Sequence, residues 1–586
     1  NADGTLVENR SAKRFIAEPG NSPVIRFRWG FKASLEELER YRGKIWLNVA
    51  NSWGGGPFAN GCPSLPDLWG EGLHSHLFLW FYAQQINSMA GREIYDCPPR
   101  AYFVHAAQRL ADLIGKIRTA QPMCPITVVS HSQGNMVTLA SAFLGVERDP
   151  THLADTYILA NPPYSLIESF VSNLASKWQT SAQNEHGEQT RAARLHTLRN
   201  FVTRMRTRAD GGQPIDKINR EQECLAPGTK QPLWCLGKTP KTTYKTNESD
   251  RDNRGRVFLY ANPHDQVISA SPLQGIGWRG VNAAELAAID PGGACFAQRI
   301  WAQGLPVGDP LKTQYHYTRD HWNAKAKGGT GDFWHPPSPK ASYQITHDPN
   351  QGRVSKMFTV AGAPVAYAVL LAIGAASKAT AINATPSADH AVPLNAPPVP
   401  EPIRPRTLRA GLDNAREFDE GLDINAHAAA ETRPSVLYEY HARLRAMQER
   451  GEAPVEGAVS KAHYHRYVKE LYASFDQEAG NATDHGTILT NPEHSRKVIA
   501  YDVAVGYVTF GVAMWQELRT LADWRYANDK NRMESYFARG VINYGQVPHK
   551  HPAYHPSKMP KEIVDERRNK PSMLANTPIL SPEELK

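Results

Sequence analysis

Apolar positions in the first 165 residues follow two periods in turn. Pro23 to Arg28 is a short strand pattern that ends in Trp29-Gly30. From Tyr102 to Arg118 the apolar residues Phe103, Ala106, Leu110, Leu113, Ile114 and Ile117 recur at helical spacing. Ile126 to Val129 is a short continuous apolar run, Gly134 to Leu144 reads as the helix after it, and Tyr157 to Ala160 is another strand, cut by Asn161-Pro162-Pro163. Strands and helices alternating at this spacing predict a parallel sheet with helices on both faces, an α/β fold.

Beyond Tyr164 the pattern turns helical, then polar and irregular, until Arg256 to Tyr260 restores a strand. A Trp- and Gly-rich stretch with little periodicity follows to about Arg353. Seven prolines in the 23 residues from Ala384 to Arg406 read as an extended linker. Ser435 to Glu449, Val459 to Phe475 and His494 to Ala527 are predicted helices, so the second half is mainly helical. The predicted division is 1–165 as the first part of the core, 166–255 as a helical or irregular insertion able to act as a lid, 256–275 as a further core strand, 276–383 as a second insertion, 384–406 as linker and 407–586 as a helical C-terminal region.

Met357 to Ala376 runs twenty residues without a charge. That length suffices to span a bilayer, but the run contains Gly362, Pro364 and Gly374 and is rich in alanine. The expectation is a buried or interfacial helix.

Composition narrows the function classes. Hydrophobic residues are 41% and charged residues 21% of the 586, which fits a packed globular chain. The formal net charge of +8 is mild for this length. It suits attraction to anionic membrane surfaces and is too diffuse to argue for nucleic acid. Six cysteines are too few for a disulfide scaffold, and none form a CxxC pair for zinc. Cys224 and Cys235 suit a disulfide in an oxidising compartment, the alternative being free or buried thiols. Asn1 to Gly20 has no apolar core of the signal-peptide kind, so export by the general secretory route is not expected.

The candidate chemistry lies at Ser130-His131-Ser132-Gln133-Gly134, between the strand Ile126–Val129 and the helix from Gly134. Strand, tight turn and helix form the setting of a nucleophile elbow. The positions two before and two after the nucleophile must be small, and Ser130 and Gly134 are. Such a turn lifts the Ser132 hydroxyl above the sheet at the positive end of the following helix. The backbone N–H of Gln133 then points where an oxyanion would form. An ordinary strand-to-helix turn is the alternative.

A serine hydroxyl needs a histidine to remove its proton, and the histidine needs a carboxylate to fix its tautomer. The chain order on this fold is serine, acid, histidine. Asp265 stands just past the strand Val257–Tyr260 in a Pro turn, and is the candidate acid; turn capping is its other reading. Among 22 histidines the base should lie on a loop before a closing helix. His485, in Thr483-Asp484-His485-Gly486-Thr487, is the candidate, with His494 as alternate. His549, His551 and His555 have loose metal-ligand spacing, as do His463 and His465, but no Cys or carboxylate completes a set. No metal and no cofactor are expected.

The motifs Ser-His-Ser-Gln-Gly, Asn-Pro-His-Asp-Gln-Val and Asp-His-Gly-Thr-Ile together resemble a bacterial family, the α/β-hydrolase lipase effectors of the type VI secretion system, in the class with an added C-terminal domain. The resemblance covers the core and the tail from about Ala410. It implies an α/β-hydrolase core, phospholipase activity on membrane phospholipid, delivery into a rival cell's periplasm, a cognate immunity protein, and docking on the secretion spike or its adaptor. Such hydrolases carry a His-Gly pair after an earlier strand as second oxyanion donor. None precedes Arg26 here, so Gln133 is the one donor the sequence names. The leading expectation is a serine ester hydrolase acting on phospholipids. A membrane-perturbing toxin and a hydrolase of soluble esters or thioesters are the alternatives.

Overall fold

The computed structural model describes residues 100–169, 187–210, 253–293, 295–302, 353–377, 381–396, 484–491, 498–504, 510–522 and 558–568. Shorter pieces are described between 24 and 82 and between 307 and 338, with Ser172 and His494 besides. The predicted helices Ser435–Glu449 and Val459–Phe475, the Cys224 and Cys235 pair, and the histidines at 463, 465, 549, 551 and 555 lie outside these residues.

Helix α1 (Ala101–Ala120) leads to strand β1 (Thr127–His131), helix α2 (Gly134–Arg148) and strand β2 (Thr156–Ala160). Helix α3 (Arg191–Asp210) and strand β3 (Arg256–Ala261) follow. After them come α4 (Ile276–Arg279), α5 (Ala283–Ile289) and β4 (Phe296–Ile300). The four strands form one parallel sheet in the order β1-β2-β3-β4. The expected α/β architecture is thus present.

Alternation along the strands sorts their side chains into two layers. Tyr157, Leu159, Val257, Leu259 and Phe296 face a large cluster with α1, α2 and α3. Phe201 of α3 meets the Tyr157 ring edge-on at 5.2 Å. Where it is described, the segment expected as an insertion therefore includes a helix of the core. Ile158, Ala160, Phe258, Tyr260 and Ala297 face the opposite cluster, with Trp301, Ile488 and Val498. The second face is thus closed by chain from near the C-terminus.

That closure is fastened by buried polar contacts. Arg299 Nε and Nη2 donate to the two carboxylate oxygens of Asp502 at 2.7 and 2.6 Å, and the Tyr260 hydroxyl donates to the same carboxylate at 2.5 Å. These three residues are fully buried. Next to them Ala504 N–H donates to Thr127 Oγ1 on β1 (2.8 Å). The backbone is extended at Val503 (ψ 153°) to reach it. The helix predicted to run unbroken over His494–Ala527 is therefore interrupted there, and resumes as α8 (Val512–Ala522). Between Asp484 and this region lies one turn of helix, α7 (Thr487–Thr490).

Two other expectations change in detail. Within the proline-rich stretch, Val392 and Pro393 pair antiparallel with Tyr315 and Gln314, and Val392 is buried. That part is a packed strand, since Pro393 sits in a two-strand ladder where its missing N–H is tolerated. The apolar run is a helix, α6 (Arg353–Ser377), with Pro364 inside it. No helix among the described residues is long and apolar enough to cross a membrane. The large apolar side chains described on α6, among them Phe358, Val365 and Leu371, are exposed, which fits the interfacial form of the expectation and not the buried one.

Candidate active site

Ser132 occupies the turn between β1 and α2 with φ at +53°. A non-glycine residue enters this region at a cost of order 1–3 kcal/mol and stays only where its surroundings over-determine it. Here they do. The Ser132 N–H donates to the Ala160 carbonyl at the end of β2 (3.0 Å), and the Ser132 carbonyl accepts from the Asn135 backbone N–H (3.0 Å) and from Asn135 Nδ2 (2.9 Å). Asn135 Nδ2 also reaches the Ala160 carbonyl, at 2.8 Å, and Ser130 Oγ donates to Asn135 Oδ1 at 2.6 Å. The small residue at Ser130 thus contributes a hydrogen bond as well as space. Gln133, the N-cap of α2, accepts from the Cys62 N–H through its side-chain oxygen (3.2 Å).

Asp265 follows β3 and is fully buried. Its Oδ1 accepts from the backbone N–H groups of Val267 (2.8 Å) and Ile268 (2.9 Å). Its Oδ2 accepts from Asn161 Nδ2 (2.7 Å) and from His485 Nδ1 (2.8 Å). A carboxylate only accepts, so His485 donates from Nδ1; in the neutral ring this tautomer leaves the lone pair on Nε2. Asn161 has φ at +49°, and it is held from behind by Gly277. A Cβ on Gly277 would stand 2.3 Å from the Asn161 carbonyl carbon and the Pro162 nitrogen. Glycine is needed there for the loop after the acid to cross the end of β2.

The loop that carries His485 is gripped from two sides. Asn262 Nδ2 donates to the Asp484 carbonyl at 2.8 Å. His131 Nε2 donates to the His485 carbonyl at 2.8 Å, and the two imidazoles lie 4.6 Å apart. Burial pushes His131 down to about 4, and the charge that His485 can carry adds to it. Next to the candidate base stands a neutral ring, not a second cation. Since His131 directly precedes Ser132, this contact brings the elbow to the Asp265–His485 pair. The alternate, His494, is not among them. It is buried against Trp301 at 4.5 Å, with Nδ1 facing the Ile488 carbonyl at 3.3 Å.

Sequence reasoning passed over Asn135, Asn161 and His131. Asn161 carries the clearest signal in retrospect, an amide at a strand end before two prolines. The strand predicted up to Trp29 is not one where it is described, at 24–27 and Trp29, and Trp29 lies near the start of α2. The Trp29 indole nitrogen is 3.8 Å from where a Cβ of Gly134 would stand.

Residues 2–282 match the model of the type VI secretion system Tle3 phospholipase effector domain, and residues 435–550 match that of the C-terminal domain of antibacterial effector protein Tle3. The chain belongs to the Tle3 family. The expected class, a type VI lipase effector with an added C-terminal domain, is therefore the right one. The chain is also similar to antibacterial effector protein Tle3 of Pseudomonas aeruginosa strain PAO1. The two are 29% identical over 559 residues, which are 87% of this chain and 73% of that protein. In Tle3 terms, Ser132 and Asp265 fall in the phospholipase effector region, and His485 in the C-terminal one.

Proposed function

We propose that this Tle3-family chain is a serine phospholipase built on an α/β-hydrolase core, with Ser132, His485 and Asp265 as its triad. The core would comprise 1–165 and 256–275, and the base would be contributed by the C-terminal region. The observation that carries the reading is the hydrogen bond from His485 Nδ1 to the buried Asp265 carboxylate, on a loop held by His131, the residue before a serine in the left-handed turn of a strand-to-helix elbow.

In this mechanism Ser132 Oγ attacks the acyl carbonyl carbon of a phospholipid ester while His485 Nε2 takes its proton. The carbonyl π pair moves onto oxygen, and the Gln133 backbone N–H stabilises that oxyanion. Asp265 stabilises the imidazolium as it forms. Collapse of the tetrahedral intermediate expels the lysophospholipid alkoxide, which takes the proton from His485, and leaves an acyl-Ser132 ester. Water, deprotonated by His485, then attacks the acyl carbon and releases the fatty acid.

Family membership supports antibacterial use. In the proposed setting a bacterial donor delivers the chain into a target cell, where it acts on membrane phospholipid from the periplasmic side. A cognate immunity protein protects the donor's kin, and a spike or adaptor protein carries it. The test is mass spectrometry of phosphatidylethanolamine and phosphatidylglycerol vesicles after incubation with purified protein. Lysophospholipid and free fatty acid in equal amounts are expected. Absence of both, with the protein folded, would count against the reading.

A further inference from the structure

Where its side chains are described, helix α6 presents its bulk outward. Met357, Phe358, Val360, Val365, Tyr367, Val369 and Leu371 are all exposed, and they are seven of the ten exposed large hydrophobic residues among those described. Among the described side chains of the helix, those turned inward are small: Thr359, Ala363 and Ala366 are buried, spaced four and three apart along one stripe. A helix of the core has the opposite arrangement, with bulk inside and polar groups out. An apolar surface of this extent, concentrated on one element, marks an interaction site.

Two observations bear on what covers it. The first is charge. From Pro349 to Ala388 the chain has no carboxylate, while Arg353 and Lys356 stand at the start of the helix and Lys378 just past its end. An apolar run flanked by cations and free of anions complements a surface that is apolar beneath and anionic on top. The second is attachment. Soon after the helix ends, Asn383 Nδ2 donates to the Gln266 carbonyl (2.5 Å) and Ser269 Oγ (2.6 Å), and Ser271 N–H donates to the Ile382 carbonyl (2.9 Å). Gln266 directly follows Asp265. The helix is thus hung from the loop that carries the candidate acid.

We infer that α6 is the element by which the protein docks on an anionic phospholipid bilayer, lying in the interface with its outer face among the upper acyl chains. Helices of this kind bury their apolar face about 5–10 Å into the headgroup boundary, and basic residues add attraction to anionic lipid. The inference rests on the reading of membrane phospholipid as substrate. It adds how the protein would reach that substrate. The anchor hangs from the acid's own loop, so docking would bring the catalytic loops to the lipid surface and not only tether the chain.

The test is sedimentation with vesicles of phosphatidylethanolamine and phosphatidylglycerol, on Ser132→Ala protein so that lipid is not consumed. Adding Phe358→Glu, Val365→Glu and Leu371→Glu together should weaken partition at least about tenfold, because it removes apolar insertion and adds anions against an anionic surface. In the protein with Ser132 intact, the same triple change should lower vesicle hydrolysis while p-nitrophenyl butyrate turnover stays within about twofold, since the altered positions are solvent-exposed. Should the triple variant fail to fold, Phe358→Glu alone is expected to weaken partition measurably. Undiminished vesicle binding by a folded variant would overturn the inference. So would a dimer of the parent that the triple change dissolves without altering vesicle binding, since a second copy would then be what covers the helix. Partition is read on inactive protein, so a missing esterase activity would sink the triad and leave this inference to be decided by the vesicles.

Discussion

Asp265 and His485, 220 positions apart, share a hydrogen bond of 2.8 Å. It joins the loop after β3 to chain that closes the far face of the sheet, so the candidate acid and base meet only when the C-terminal region is docked. Asp265→Asn should keep this geometry but turn the amide nitrogen or oxygen to the ring indifferently, losing control of the tautomer. Turnover of a p-nitrophenyl ester is expected to fall by about 10⁴, less than the loss from removing Ser132. An Asp265→Asn protein with near-native turnover would remove Asp265 from the mechanism.

Asn161 gives the acid its second side-chain partner. Asn161→Ala removes a hydrogen bond to a charged group, a loss of about 1.5–3 kcal/mol where the acceptor is buried. Asn161 acts through Asp265 and touches no substrate in this scheme. The expected signature is kcat down roughly tenfold with KM unchanged and the acid limb of the pH–rate profile displaced. A fall in stability alone, with an unmoved profile, would make Asn161 a packing residue only.

Asp502 fastens the C-terminal closure. Asp502→Ala leaves the Arg299 guanidinium buried without its carboxylate, which costs about 3–5 kcal/mol. Burial and the Asp502 charge also hold the Tyr260 phenol well above its usual range, so this hydroxyl remains a donor. Urea unfolding should show the lowered midpoint, and the folded remainder should lose turnover because His485 arrives on the same segment. Full activity in a destabilised Asp502→Ala protein would show that the segment does not deliver the base.

Acid should destabilise the protein earlier than carboxylate titration would. Burial holds His105 down at about 3, and His131 and His390 down at about 4, against an ordinary value of 6.5. A base with a depressed folded pKa takes up its proton in the unfolded chain first. Stability is therefore full above pH 6.5 and is lost as pH falls toward 4, by something of the order of 3 kcal/mol for each fully shifted ring. A thermal midpoint that stays flat from pH 7 down to 4.5 would contradict this.

Local signals made part of the molecule legible. Ile126–Val129 and Gly134–Leu144 mark a strand-to-helix turn through period alone, and Asp265 stands out as a carboxylate just past an apolar strand. These are contacts between near neighbours in sequence. Asn135, Asn161 and His131 escaped notice because their partners are set by strand register and by a loop hundreds of residues away. The break at Val503 escaped for the same reason, since only the tertiary partner Thr127 explains it. For α6, an unbroken apolar run has no periodicity from which to tell the inner face from the outer. The expectation was a buried or interfacial helix; among its described side chains only Thr359, Ala363 and Ala366 are buried, which leaves the interfacial form.

The most direct test compares Ser132→Ala with the native chain on phospholipid vesicles, and in a bacterial host that exports each protein to the periplasm. The account predicts a loss of lysophospholipid and fatty acid release by roughly 10⁴ to 10⁶, equal for Ser132→Ala, His485→Ala and the double change, because triad members act as a unit. It also predicts that growth arrest disappears with the products. Ser132→Ala protein that still arrests growth, or still releases fatty acid at more than about a tenth of the native rate, would contradict it.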